Sequence, residues 1–325
     1  MNNTKRNIAV LTSGGDAPGM NAALRAVVRS GIGAGFRVFA AYRGFEGLLN
    51  DDFKELDSRS VANILSRGGT IIYTARSNEF MTKEGQQKAA DILRSRDIED
   101  LIIIGGDGSF KGGYELSKFG INVICLPATI DLDLGCTDYT IGFDTAANTA
   151  MEAIDKVRDT SSSHERCSVI EVMGRHAGYI ALWTGVATGA EEILIPETNN
   201  FNLDTVITRI KISRKKGKNQ YIIVNSEGIG NSNKIASEIE AATGIETRAT
   251  VLGYMQRGGS PTVLDRVYAS VMGRAAISCL EENKKNRAIV HANGEFMDID
   301  LSEALEKAKT VDELYYKVAM QIIRW

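Results

Sequence analysis

The stretch Leu101-Ile102-Ile103-Ile104-Gly105-Gly106-Asp107-Gly108-Ser109 sets an unbroken apolar run directly before a glycine-rich turn. A run without polar alternation suits a strand buried on both faces, and such strands belong to parallel sheets covered by helices. Outward from it the same rhythm repeats. Ile8-Ala9-Val10-Leu11 reads as a strand, Gly14 to Gly19 as a turn, and about Met20 to Gly33 as a helix. Phe36–Tyr42 and Val123–Leu126 are further strands, and a helix over about Thr145–Thr160 restarts the pattern. Beyond it, strands are expected at Cys167–Val172, Ile193–Ile195, Tyr221–Val224 and Thr247–Leu252. Helices are expected at Ala177–Thr188 and over 203–216, 232–243, 265–282 and 311–323. Strands alternating with helices predict an α/β protein with mostly parallel sheets.

Composition narrows the function classes. In 325 residues, 38 Lys and Arg stand against 41 Asp and Glu, so nothing favours nucleic acid as a partner. No apolar run approaches the ~18 residues of a membrane span. Met1-Asn2-Asn3-Thr4-Lys5-Arg6 lacks the apolar core of a secretory signal. At about 100–200 residues per domain, the length suits two domains or one large α/β unit. Cys125, Cys136, Cys167 and Cys279 have no paired spacing, which predicts buried free thiols in a cytoplasmic protein. Glycine stands out, 32 residues against only 4 prolines, and its clusters lie beside the apolar runs. That is where α/β proteins hold phosphates.

Several turns carry chemistry. Gly14 and Gly19 have the spacing of a phosphate-binding P-loop, but Met20-Asn21 stands where Lys-Ser/Thr would be, so the Walker motif is absent. The turn reads equally as an anion cradle at a helix N-terminus or as a tight turn without ligand. Asp107 suits Mg²⁺, which takes one or two carboxylates beside nucleotide phosphates. Capping of the next helix is its plainer role, and the double glycine before it favours the metal. Pro127-Ala128-Thr129-Ile130-Asp131-Leu132-Asp133 follows directly on a strand. In an extended loop Asp131 and Asp133 point the same way, so one accepts a proton from a hydroxyl while the other works at a metal. A solvated acidic turn is the alternative. Arg76, Arg166, Arg175, Arg248 and Arg257 lie in or beside strand-end loops. Each alone suits a surface ion pair, but together their forks favour a phosphorylated substrate. Arg25 and Arg29, four apart on one helix face, read with Arg158, Lys216 and Lys218 as a solvated basic face rather than a second anionic site.

In combination, LTSGGDAPGMNAALR (Leu11–Arg25), IGGDGS (Ile104–Ser109), TDYTIGFDTA (Thr137–Ala146), RDTSSSHERCSVIEVMGRHAG (Arg158–Gly178) and ETRATVLGYMQRGGSP (Glu246–Pro261) resemble the bacterial-type ATP-dependent 6-phosphofructokinases. The match runs over nearly the whole chain. It implies two similar αβα domains with the active site in the interdomain cleft, assembled as a homotetramer. An ATP-binding domain would comprise residues 1–142 and 256–306, and a sugar-phosphate-binding domain residues 143–255 and 307–325. The implied reaction moves a phosphoryl group from ATP to the 1-hydroxyl of fructose 6-phosphate, with Mg²⁺, in glycolysis. ADP and phosphoenolpyruvate would be the allosteric effectors.

Carried over by position, Gly15, Arg76, Ser77, Gly106, Asp107, Gly108 and Ser109 would line the ATP site, with Asp107 on Mg²⁺ and Asp133 assisting. Asp131 would deprotonate the sugar hydroxyl, Thr129 would touch the moving phosphoryl group, and Arg76 and Arg175 would stabilise its charge. Met173, Gly174 and Glu227 would hold the sugar, with Tyr254 beside its phosphate and Arg257 on it. Arg166 and Arg248 would reach the substrate of a neighbouring subunit. Arg25, Arg29, Arg158, Gly189, Glu191, Lys216 and Lys218 match the family's effector site, which reverses the plain reading of the basic face. The pyrophosphate-dependent branch carries Asp where this chain has Gly108 and Lys where it has Ala128, so ATP is the expected donor.

Four positions depart from the family pattern. Leu132 replaces Asn, Tyr254 replaces His, Phe45 stands for a frequent Tyr and Met81 for a frequent Arg. They leave two alternatives open: a paralogue using another sugar phosphate or donor, and a weakly active regulatory or ligand-sensing subunit. Lipid and NAD kinases share a GGDG loop but lack the matches after residue 137.

Overall fold

A computed structural model describes residues 6–198, 202–309 and 313–323 of the chain. Its elements begin with β1 (Asn7–Ser13), α1 (Met20–Gly33), β2 (Arg37–Ala41), α2 (Gly44–Leu49), β3 (Phe53–Leu56) and α3 (Lys83–Ser95). Next come β4 (Ile98–Gly105), α4 (Asp107–Ser117), β5 (Asn122–Thr129), β6 (Ile141–Gly142) and α5 (Phe143–Ser163). They continue with β7 (Cys167–Val172), α6 (Tyr179–Thr188), β8 (Glu192–Leu194), α7 (Leu203–Lys215), β9 (Tyr221–Ser226), α8 (Ser232–Thr243) and β10 (Thr247–Val251). The chain closes with α9 (Val263–Glu281), β11 (Arg287–Ala292), β12 (Glu295–Asp300), α10 (Leu301–Glu306) and α11 (Glu313–Ile323). The expected C-terminal helix over 311–323 is α11; residues 311 and 312 lie outside the described residues, as do residues 1–5.

The chain groups into two compact units. The first contains the described residues up to 129 together with 133–144 and 257–309. Its sheet runs β12-β11-β5-β4-β1-β2-β3, with β6 paired to β5. β11, β5, β4, β1 and β2 are parallel neighbours, so their carboxyl ends share one edge. The turns after β1, β4 and β5 are thereby set side by side, the arrangement in which open α/β sheets bind ligands. The apolar run is buried on both faces, as its composition predicts. Leu101 and Ile103 pack in a cluster with Phe45, Leu93 and Phe110, and Ile102 and Ile104 are also fully buried.

The second unit contains residues 130–132, 145–256 and the described residues after 309. Its sheet, β10-β7-β9-β8, is parallel throughout. Cys167 and Val169 of β7 and Tyr221 and Ile223 of β9 pack on Val206 and Ile210 of α7 and on Ile235 and Ile239 of α8. The two units are unequal, with eight strands against four.

Two antiparallel additions fall outside the strand–helix rhythm: β3 on β2 and β12 on β11. β3 and β12 end the sheet and carry Lys54, Glu55, Glu295 and Asp298, so they lack an apolar run. Charge on an edge strand blocks pairing with other chains, which is also why such strands are hard to read from hydrophobicity. A local signal did exist. Asn293-Gly294, at φ 54° and 82°, forms the two-residue turn between β11 and β12. α2, α3 and α10 likewise lie outside the sequence reading. All four cysteines are buried and unbridged, and burial pushes the Cys167 thiol up to about 12. Among the described residues no helix is long and apolar enough to cross a membrane.

Candidate active site

In the first unit the three turns touch. A Cβ on Gly105 would stand 2.5 Å from both Ser109 Oγ and the Ser13 carbonyl oxygen, so only glycine lets β1 and β4 end this close together. A Cβ on Gly106 would lie 3.4 Å from Thr129 Cβ, which brings the end of β5 into the same group. Gly15 faces Arg257, whose Nη1 donates to the Asp16 carbonyl at 3.1 Å. Gly14–Asp16, Gly105–Ser109, Thr129 and Arg257 therefore form one cluster at the carboxyl edge of the sheet.

Asn21, standing where a P-loop has Ser or Thr, is buried and spent on the backbone. Its Nδ2 donates to the carbonyls of Arg67 (3.0 Å) and Gly68 (3.2 Å), and its Oδ1 accepts the Ile71 N–H (2.9 Å). Thr12 Oγ1 adds a bond to the Tyr73 carbonyl, and Thr74 Oγ1 one to the Gly14 carbonyl, both N-terminal to the exposed Arg76. These contacts pin the segment that delivers Arg76 and Ser77. Asp107 is the first residue of α4 and the cap position before it is Gly106, so Asp107 is not the capping residue; its Oδ2 meets Lys111 Nζ at 2.7 Å.

The loop carrying Asp131 and Asp133 is not extended throughout, contrary to expectation. Leu132 has a left-handed φ of +53°, so the two-residue alternation that would align the two carboxylates does not hold there. Leu132 is buried, as is Asp131. The turn that follows is fixed by Asp265, which is fully buried and accepts from Tyr139 Oη (2.5 Å) and from the Gly142 N–H (2.6 Å). Burial and the Asp265 charge push the Tyr139 hydroxyl well above its ordinary value.

The second unit assembles its own group after β7 and β9. Glu227 Oε1 accepts the N–H groups of Gly174 (3.2 Å) and Arg175 (2.5 Å), and the Met173 N–H donates to Gln256 Oε1 at 3.2 Å. Gln256 is fully buried and is a positioning residue that the sequence reading missed. Glu246 is another. One carboxylate holds Arg166 through Oε2 and Arg248 through Oε1, each at 2.7 Å. Its spacing from Arg248, two residues along the entry to β10, was the available signal.

The family profile for phosphofructokinase matches residues 7–280. An ATP-dependent 6-phosphofructokinase from Clostridium botulinum is 54% identical over 314 residues, covering 97% of this chain and 98% of its own length. One from Clostridium tetani has the same identity and coverage. The chain belongs to the phosphofructokinase family. Among solved structures, the phosphofructokinase of Saccharomyces cerevisiae superposes with a TM-score of 0.86 at 35% identity, over 98% of this chain. This chain spans about half of that longer one, 47%.

Of the seven residues expected at an effector site, five fall in the second unit. Arg158 Nη2 donates to the Thr188 carbonyl, beside Gly189, the left-handed cap of α6. Lys218 Nζ meets Glu191 Oε1 at 2.6 Å, and the backbone N–H groups of Lys216 and Lys218 share the Ser213 carbonyl. Arg25 and Arg29 stand one turn apart on α1, in the first unit. Of the departures, Phe45 is core, stacked on Phe80 with ring centres 3.9 Å apart, while Met81 and Tyr254 are 79% and 82% exposed.

Proposed function

We propose that the chain transfers the γ-phosphoryl group of ATP to the 1-hydroxyl of fructose 6-phosphate, giving fructose 1,6-bisphosphate in glycolysis. The observation that carries this reading is the convergence of Gly14–Gly15, Gly105–Ser109 and Thr129 at one sheet edge. Gly106 to Ser109 and the N-terminus of α4 take the nucleotide phosphates, where backbone N–H groups and the helix dipole favour anions. Arg76 and Ser77 complete that side. At Gly108, among the described residues, no atom other than those of its two chain neighbours and its own helix backbone lies within 4 Å of an added Cβ, which leaves the approach open to a nucleotide.

Asp131 accepts the proton of the sugar 1-hydroxyl as its oxygen bonds to the γ-phosphorus. The bond to the β,γ-bridging oxygen breaks, and ADP leaves with the electron pair. Arg76 and Arg175 stabilise the charge spread over the transferred group, and Thr129 donates to it. Met173, Gly174 and Glu227 hold the sugar, with Tyr254 and Arg257 at its phosphate. Mg²⁺ fits the residues present. It needs only one or two carboxylates beside a nucleotide, and Asp107 supplies a half-exposed one in the first turn of α4, with Asp133 as the second. When bound, it neutralises β- and γ-phosphate charge.

A cytoplasmic homotetramer completes the reading. Arg166 and Arg248 serve a neighbouring subunit's substrate, and Arg25, Arg29, Arg158, Gly189, Glu191, Lys216 and Lys218 bind ADP or phosphoenolpyruvate. The test is a coupled assay of the purified protein with ATP, GTP and pyrophosphate against several sugar phosphates. Turnover is expected with ATP and fructose 6-phosphate, and Asp131→Ser should lower kcat by roughly 10²–10⁴. Preference for pyrophosphate, or an unchanged kcat in that variant, would overturn it.

A further inference from the structure

Arg175 sits in a backbone conformation that L side chains disfavour. Its φ is +56°, and that of Gly174 before it is +141°. What holds this turn is Glu227, whose Oε1 accepts both N–H groups while its own N–H donates to the Val172 carbonyl at 2.9 Å. The fit is close on both sides: a Cβ on Gly228 would stand 2.8 Å from the Arg175 carbonyl oxygen. The Arg175 turn and the loop between β9 and α8 are thus shaped to one another.

That loop is held in turn by a row of polar side chains. Asn225, fully buried at the end of β9, donates through Nδ2 to the Gly230 carbonyl (3.1 Å) and to Ser232 Oγ (2.8 Å). Ser232, also buried, donates its own proton to Glu171 Oε2 at 2.6 Å. Glu171 and Asn225 are register partners on β7 and β9. The row therefore ties both ends of the loop to the two strands from which the Arg175 turn and Glu227 emerge. A carboxylate that accepts from a buried hydroxyl makes a short, charge-assisted bond, and its loss leaves buried polar atoms unsatisfied.

We infer that Asn225, Ser232 and Glu171 are positioning residues that set the Arg175 turn through Glu227. This rests on the proposed role of Arg175 at the transferred phosphoryl group. Misplacing such a group by about 1 Å is costly in rate even when the mutation is remote from the chemistry.

Ser232→Ala breaks both bonds, and Ser232→Thr keeps the hydroxyl. The alanine variant is expected to lose roughly 10-fold in kcat/KM for fructose 6-phosphate, with KM for ATP held within about twofold. The threonine variant should return it toward the parent value. Hydrogen exchange of the peptide covering residues 173–178 in the ligand-free enzyme should quicken in Ser232→Ala. Arg175→Ala is measured alongside: no effect there defeats the reading of Arg175 itself. If Arg175→Ala is impaired while Ser232→Ala keeps parental kcat/KM and parental exchange, or loses only thermal stability, the positioning role is overturned. Glu171→Gln, which retains shape and an acceptor, provides a second folded variant and should show a smaller loss of the same kind; parental values there also overturn the role.

Discussion

The Arg257 guanidinium occupies the place that a side chain at Gly15 would need: a Cβ added there would collide with Nη1. The contact joins the turn assigned to the nucleotide with the arginine assigned to the sugar phosphate. Gly15 is not in the left-handed region, so alanine is permitted there and only the flexible arginine must move. Gly15→Ala should therefore keep stability within about 1 kcal/mol. It should also raise KM for fructose 6-phosphate by roughly 5–10-fold by displacing a charge-assisted contact. A parental KM, read from initial rates at saturating ATP, would count against Arg257 as the phosphate ligand.

Glu246 holds Arg166 and Arg248 together, and these two guanidiniums, Arg166 first, keep its carboxyl below the usual carboxylate range. A depressed acid contributes its bridge fully above the unfolded value, about 4.3, and loses it as pH falls through the lower folded value. The parent's half-saturation by fructose 6-phosphate should thus feel this bridge only below the ordinary carboxylate range. Glu246→Gln should raise half-saturation several-fold at neutral pH, because two long side chains lose their shared anchor. Superimposable saturation curves for the two proteins would refute it.

Gly108 leaves room for a side chain, and it lies in the first turn of α4, where an acidic group is favourable. Gly108→Asp should fold with parental thermal stability. Its charge nevertheless faces the phosphates, so KM for ATP should rise about 10-fold or more, with KM for fructose 6-phosphate little changed. Unaltered ATP kinetics would mean that the nucleotide does not approach this residue.

At Leu132 two effects oppose one another. The left-handed backbone costs a leucine about 1–2 kcal/mol, while burying its side chain contributes about 1.5–3 kcal/mol. Burial is the larger. Leu132→Asn should accordingly lose about 1 kcal/mol of stability, even though Asn tolerates this conformation. The hydrogen-bonding capacity gained between Asp131 and Asp133 should raise kcat. Calorimetry and initial rates separate the two effects; a higher Tm, or a lower kcat, would show the balance to be misjudged.

How far the site was legible depended on the kind of contact. Leu101–Ile104 and Gly105-Gly106 carried their meaning locally, because a continuous apolar run and a glycine turn need no partner to be read. Asp107, Asp131 and the arginines were visible as residue types in strand-end turns. The hydrogen bonds that set them were not. Asn21 reaches residues 67–71, Gln256 reaches Met173, and Asn225 acts through Ser232 and Glu171, each across a long or indirect path. No periodicity records such pairs. β3 and β12 were missed because a polar edge strand lacks the apolar signal that marks a central one.

By itself the sequence determined the α/β class, the parallel central strands, the buried thiols and, through its motifs, the phosphofructokinase family. Each of these follows from near neighbours or from short spans whose residue types alone restrict the backbone. Tertiary structure alone decided that Leu132 turns left-handed between Asp131 and Asp133, that Glu246 binds two arginines at once, and that Glu227 holds the Arg175 turn. Those outcomes depend on which strands become neighbours and in what register. Packing of the whole chain fixes that, and no single stretch of it encodes the answer.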